Sequence, residues 1–217
     1  MKNLAFFALT LVFGCSGPVD RKPADTIDSV KPAVAQDVPD PGLITCEGIG
    51  VIKLTDDYAL LTRKVGKDNV HLDSLFLEGT FESLITRVWK GTPKEITVYW
   101  QENQEPYKTI RMLEISSAQS PYHFSNGVRI GTSLKKLAEL NGVPVKLYGF
   151  GWDYGGTFIG FNGGKLAKSM PCFGGVFALP EGAQPGREIQ GDHEIRSDAG
   201  GLKEVEVELV KIRVSKE

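Results

Sequence analysis

VIKLTDDYALLTRKVG (residues 51–66) lies over GVRIGTSLKKLAELNG (residues 127–142) at an offset of 76 residues. Both open on an alternating apolar pair, Ile52 and Leu54 or Val128 and Ile130, which is the period of a half-buried strand. Both then reach a short polar residue, Asp56 or Thr132, of the kind that accepts from the first free amides of a helix. A helical period follows, with Tyr58, Leu61 and Val65 on one face in the first copy and Leu134, Leu137 and Ala138 in the second. Gly66, or Asn141 and Gly142, supplies the left-handed exit. Helices of about three turns are unstable alone, so each is expected to pack on strands.

Strand-like runs do follow each copy. After the first come 82–90, 94–101 and 107–116, separated by Gly-Thr-Pro and Asn-Gln-Glu-Pro turns, which reads as an antiparallel meander. After the second come 144–150, 156–162, 174–179 and 203–215. The expected fold class is α+β: two tandem units of short helix followed by antiparallel strands, with repeats 42–122 and 123–217 inside a globular part spanning 42–217. In the last run Val205, Val207 and Leu209 share one parity and Val210, Ile212 and Val214 the other. A one-residue slip turns a strand over, so a β-bulge is expected near Leu209 and Val210.

Ahead of the globular part, residues 1–14 read MKNLAFFALTLVFG. Lys2 is followed by an apolar run from Leu4 to Phe13 that spans about 15 Å as a helix, half of a hydrocarbon core, which suits a signal peptide and not a membrane span. Val12, Phe13 and Gly14 before Cys15 resemble the lipobox of bacterial lipoproteins, against the plainer reading of a secretory leader with a chance cysteine. The resemblance implies a lipidated Cys15, acyl chains as the membrane partner and, with Ser16 where an Asp would retain the protein at the inner membrane, an outer-membrane lipoprotein; Ser-Gly-Pro-Val-Asp after the cysteine lacks the acidic cluster that resembles a surface-export signal, which favours the periplasmic face. Residues 15–41 carry Pro18, Pro23, Pro32, Pro39 and Pro41 and no aromatic, the composition of a disordered tether. At about 3.1 Å per residue it reaches roughly 80 Å in the extended limit.

Gly127, Val128, Ile130, Gly131, Ser133 and Leu137, with Gly142 after them, resemble the signature of the SmpA/BamE lipoproteins and of the β-lactamase inhibitor protein, which are tandem helix-then-sheet units. The longer stretch GVRIGTSLKKLAELNGVPVKLYGFGWDYGG resembles a family of exported Bacteroidetes proteins and implies no activity.

Composition narrows the partners. The chain has 217 residues and a net charge of −2, so no basic surplus points to nucleic acid. With Cys15 set aside, Cys46 and Cys172 either form one disulfide or stay as two buried thiols. The absence of CxxC and HxxxH spacing leaves no metal or cofactor expected. Glycines concentrate in 149–164, GFGWDYGGTFIGFNGG, among Phe150, Trp152, Tyr154, Phe158 and Phe161. Trp152, Asp153 and Tyr154 are the candidate ligand-binding residues if those rings face solvent and stack on sugars; the alternative is a twisted hairpin whose aromatics fill the core. Asp192, His193, Glu194 and Asp198, in GDHEIRSD, form either a cation or acid–base site or, as the turn composition favours, a solvated loop. His71 and His123 have no partner spacing, and no catalytic motif stands out. The function expected is a non-enzymatic tethered binding or scaffold module with an envelope protein or cell-wall partner; the alternative is a small cell-wall hydrolase or carbohydrate-binding protein using 149–164.

Overall fold

The structure, a computed structural model, describes residues 40–216. The expected signal peptide, the expected lipidation site Cys15 and the expected tether as far as residue 39 lie outside the described residues. Its strands and helices run in the order β1 (Leu43–Thr45), β2 (Gly48–Ile49), β3 (Ile52–Lys53), α1 (Tyr58–Val65), β4 (Val70–Leu77), β5 (Thr80–Val88), β6 (Ile96–Trp100), β7 (Ile110–Ile115) and β8 (His123–Phe124). They continue with α2 (Leu134–Asn141), β9 (Lys146–Tyr148), β10 (Phe158–Gly160), α3 (Leu166–Ser169), β11 (Phe173–Ala178), β12 (Glu194–Arg196) and β13 (Glu208–Ser215).

The two matching stretches form the same local structure. Asp57 caps α1, accepting from Leu60 N–H at 2.6 Å, and Ser133 caps α2, accepting from Lys136 N–H at 3.1 Å. The expected caps, Asp56 and Thr132, sit one residue early and close the preceding turn instead, accepting from Lys53 N–H and Arg129 N–H, each at 2.9 Å. Gly66 (φ 86°) and Gly142 (φ 82°) end the helices. Leu61 and Leu137 are wholly buried at equivalent positions.

These copies do not build two tandem α+β units. The described residues form a mostly-β fold with sheets of four, six and three strands, and helices of only eight, eight and four residues. The six-stranded sheet runs β11-β13-β7-β6-β5-β4, so strands following both helices share one antiparallel surface. β13 joins the halves, pairing β7 on one side and β11 on the other. Because β13, from the second half, takes one partner from each half, neither half is a self-contained unit. The second half also lends β9, β10 and β12 to a three-stranded sheet, and β8 pairs in parallel with β1.

The expected bulge in the last strand is present. Val176 faces Lys211 and Phe177 faces Leu209, leaving Val210 as the extra residue. It lets Val207 and Leu209 and then Ile212 and Val214 all reach the core. One hydrophobic core gathers Leu61, Leu137, Val98, Leu113, Leu147 and Ile212 from both helices and two sheets. Asn141, fully buried at the end of α2, replaces the apolar residue of the first copy and holds three backbone groups: Val143 O, Phe161 O and Leu166 N–H. Gly164 is required beside it, because a Cβ there would fall on the Asn141 amide. Cys46, just after β1, is bridged to Cys172, just before β11, with Cα atoms 5.3 Å apart.

Asp40 and Pro41, read as the end of the tether, begin the folded part. Asp40 accepts from Gly42 N–H at 2.8 Å and its carboxylate lies 3.3 Å from His123.

Candidate functional site

Alternation sets the three-stranded sheet. Leu147 and Ile195 turn inward and are buried, while Lys146 and Tyr148 on β9 and Glu194 and Arg196 on β12 turn outward. Glu194 sits opposite Tyr148 and Arg196 opposite Lys146. Lys146 Nζ lies 2.6 Å from Glu194 Oε1, and Arg196 turns to Asp198 through bonds of 3.0 and 2.8 Å.

Beyond β9 the chain enters the glycine-rich segment. Gly151 takes φ 86° and Gly156 φ 72°; a Cβ on Gly156 would fall on the Phe177 carbonyl, where the segment is bonded to β11. The loop between them returns on itself through Gly156 N–H to Tyr148 O and Thr157 N–H to Tyr154 O. This tight loop lifts Trp152 and Tyr154 beside Tyr148. Trp152 meets Tyr148 edge to face at 5.6 Å and Tyr154 at 5.3 Å. Its indole N–H donates to Gly149 O at 2.9 Å, which fixes the ring. Tyr154 remains 59% exposed and Tyr148 37%, with Trp152 half-buried between them.

The aromatics of 149–164 therefore divide. Phe150 and Phe161 are buried, and Phe158 and Phe161 stack edge to face at 4.7 Å and pack against Phe173. Trp152 and Tyr154 face outward with Asp153, which is exposed. Sequence reasoning missed Tyr148, the third ring. The signal was present in Val145-Lys146-Leu147-Tyr148, where a period of two places Tyr148 on the outer face with Lys146.

The residues of GDHEIRSD do not form a solvated loop throughout, because Glu194–Arg196 is strand β12, held by β9. Nor do they converge on a common point: Glu194 is engaged by Lys146, Asp198 by Arg196, and the His193 ring by Glu188 O at 3.2 Å. Among the described residues no group of three or more His, Cys, Asp or Glu side chains is placed to hold a metal ion. His71 lies exposed on β4. A cleft of about 620 Å³ runs along α2 between Glu139, Val143, Pro144 and Lys203, with charges of both signs on its rim.

What the outer face of the small sheet offers is a rigid aromatic surface flanked by paired charges. Ring faces accept the C–H side of a sugar, and the carboxylates and ammonium beside them offer hydrogen bonds to hydroxyl and amide groups. The chain matches no protein-family model, no curated protein and no solved structure.

Proposed function

We propose that the chain is a non-enzymatic binding module of the bacterial envelope, held to lipid through Cys15 and the proline-rich tether, and that Tyr148, Trp152 and Tyr154 grip sugar rings of a cell-wall polymer. The observation that carries the reading is the outward-facing trio of rings with its central indole pinned by Gly149 O. Pre-organised rings lose little entropy on binding, and an open face accommodates a long polymer that an enclosed pocket would exclude. The polar groups beside the rings support recognition over hydrolysis, since the Glu194 carboxylate is already occupied by Lys146.

Co-sedimentation with purified peptidoglycan sacculi tests the proposal. The full chain is expected to pellet with sacculi, and Trp152→Ala and Tyr154→Ala each to lower the bound fraction several-fold without changing the thermal melt. Stacking of a nucleobase on an aromatic ring is worth about 1–3 kcal/mol by alanine substitution, and a sugar face is assigned the lower end of that scale. Equal pelleting of wild type and both variants overturns it.

A further inference from the structure

The six-stranded sheet ends differently on its two sides. At β11 the edge is occupied, through a Thr157–Val176 bridge and Phe177 N–H donating to Gly156 O at 2.8 Å. At β4 the edge is free among the described residues. β4 is eight residues long and joined to β5 by the two-residue turn Glu78-Gly79, both at positive φ, which is the tight hairpin turn. It lacks the lysine or proline that usually guards such an edge.

Backbone parity fixes which groups the edge presents. Asn69 O accepts from Trp89 N–H across the β4–β5 ladder at 2.9 Å, so the odd positions 71, 73 and 75 bond to β5. The even positions 70, 72 and 74 then point their N–H and C=O groups outward, and 76 does likewise, because the bulge between Leu75 and Phe76 puts its extra residue, Glu82, on β5 and leaves the parity of β4 unbroken. Ser74 agrees, its N–H donating to the neighbouring Asp73 carboxylate at 2.9 Å instead of to β5. The same even positions carry Leu72, 43% exposed, and Phe76, 58% exposed, with Phe76 edge to face at 6.0 Å against Phe81, itself 49% exposed. Backbone groups without a strand partner and an apolar strip thus share one edge, and only another extended strand satisfies both.

We propose that this strand is β4 of a second copy, paired antiparallel about a two-fold axis through Ser74. Parity requires even positions to face even positions. Centring the axis on Asp73 would set two carboxylates directly opposite, which repels. Centring it on Ser74 instead sets Leu72 against Phe76 of the second copy and Phe76 against its Leu72, and avoids any like-charge pair among residues 72–76. This register gives the longest pairing free of that repulsion. It forms about six backbone hydrogen bonds through positions 72, 74 and 76, two of them from the Ser74 N–H groups in exchange for their bonds to Asp73, and extends one sheet across both copies. The interface goes beyond the sugar-binding proposal and lies on a different sheet from Tyr148, Trp152 and Tyr154, so either can fail alone.

Sedimentation velocity of the full chain over a range of concentrations, with two variants, tests the pairing. The wild type is expected to sediment as a concentration-dependent dimer. Ser74→Lys changes an exposed side chain and sets two ammonium groups opposite each other; it should weaken dimerisation at least about tenfold while leaving the circular dichroism spectrum unchanged. Ser74→Cys, oxidised with glutathione disulfide, should give a peptide linked through two copies of residue 74, because directly paired strand residues bring Cα atoms to about 5.5 Å, inside disulfide range. Asp73→Cys should not link to itself. A monomer at every concentration, a dimer unaffected by Ser74→Lys, or self-linkage at 73 in place of 74 overturns the proposal.

Discussion

Removing the Cys46–Cys172 bridge gives the most quantitative test of how the fold is held. The bridge closes a loop with a sequence separation of 126 residues, tying the turn after β1 to the residue before β11. In the chain-entropy treatment a loop of that length restricts the unfolded chain by about 16 cal/mol/K, or roughly 5 kcal/mol at 25 °C. Net stabilities of domains run only about 5–15 kcal/mol, so the loss is a large share of the total. Cys172 is 5% exposed and sits among core residues, so Ala is the replacement that adds no buried hydroxyl. Cys46→Ala/Cys172→Ala is expected to lose about 4 kcal/mol of stability in guanidinium titrations. The denaturant slope should rise, since the unbridged chain unfolds to a more open ensemble. The oxidised wild type treated with reductant should approach the double variant. A loss below about 1 kcal/mol would refute the reasoning, because the loop would then have been restricted by something other than the bridge.

Three further outcomes follow from particular contacts. Asn141→Ala should destabilise by about 3 kcal/mol in chemical denaturation, because Val143 O, Phe161 O and Leu166 N–H lose their side-chain partner in a buried place. Hydrogen bonds from Lys90, the Ser74 amide and Arg87 hold Asp73 down at about 2. A lowered carboxyl stabilises the fold above its unfolded value and loses that contribution as pH falls towards 2; the pair is partly exposed, so the effect is under about 1 kcal/mol, and Asp73→Asn should flatten acid unfolding between pH 4 and 2. Tyr99 is pushed up to about 12, first by burial and then by the Glu114 carboxylate 3.3 Å from its hydroxyl. The unfolded chain releases that proton near pH 10 and the folded chain does not, so stability should decline between pH 10 and 12, and Tyr99→Phe should soften the decline.

Much of the local structure was legible because its signal is periodic. The 76-residue offset between the two stretches locates both helices, and the parity change at Leu209 and Val210 locates the bulge at Val210. The tandem arrangement was not legible, because nothing local tells β13 to pair with β7 across the halves. Pairing between distant strands is settled by which edges remain open when the core closes. β4 escaped notice because Val70–Leu77 mixes His71, Asp73 and Ser74 with four large apolar residues, while the Glu78-Gly79 turn marks the hairpin. β12 was hidden by brevity, since Ile195 alone reaches the core and its neighbours are charged. The candidate site was half legible. Trp152 and Tyr154 stand out in composition, but which rings of 149–164 turn inward depends on Gly156 meeting the Phe177 carbonyl, a contact between distant parts of the chain.

The proposed sugar-binding face is tested most directly by isothermal titration of soluble peptidoglycan fragments into the full chain, beside Tyr148→Ala, Trp152→Ala and Tyr154→Ala. Saturable binding to the wild type, weakened about tenfold or more by each ring removal and retained by Phe76→Lys on the six-stranded sheet, is the predicted result. Absence of heat with the wild type, or affinity indifferent to all three rings, would contradict it.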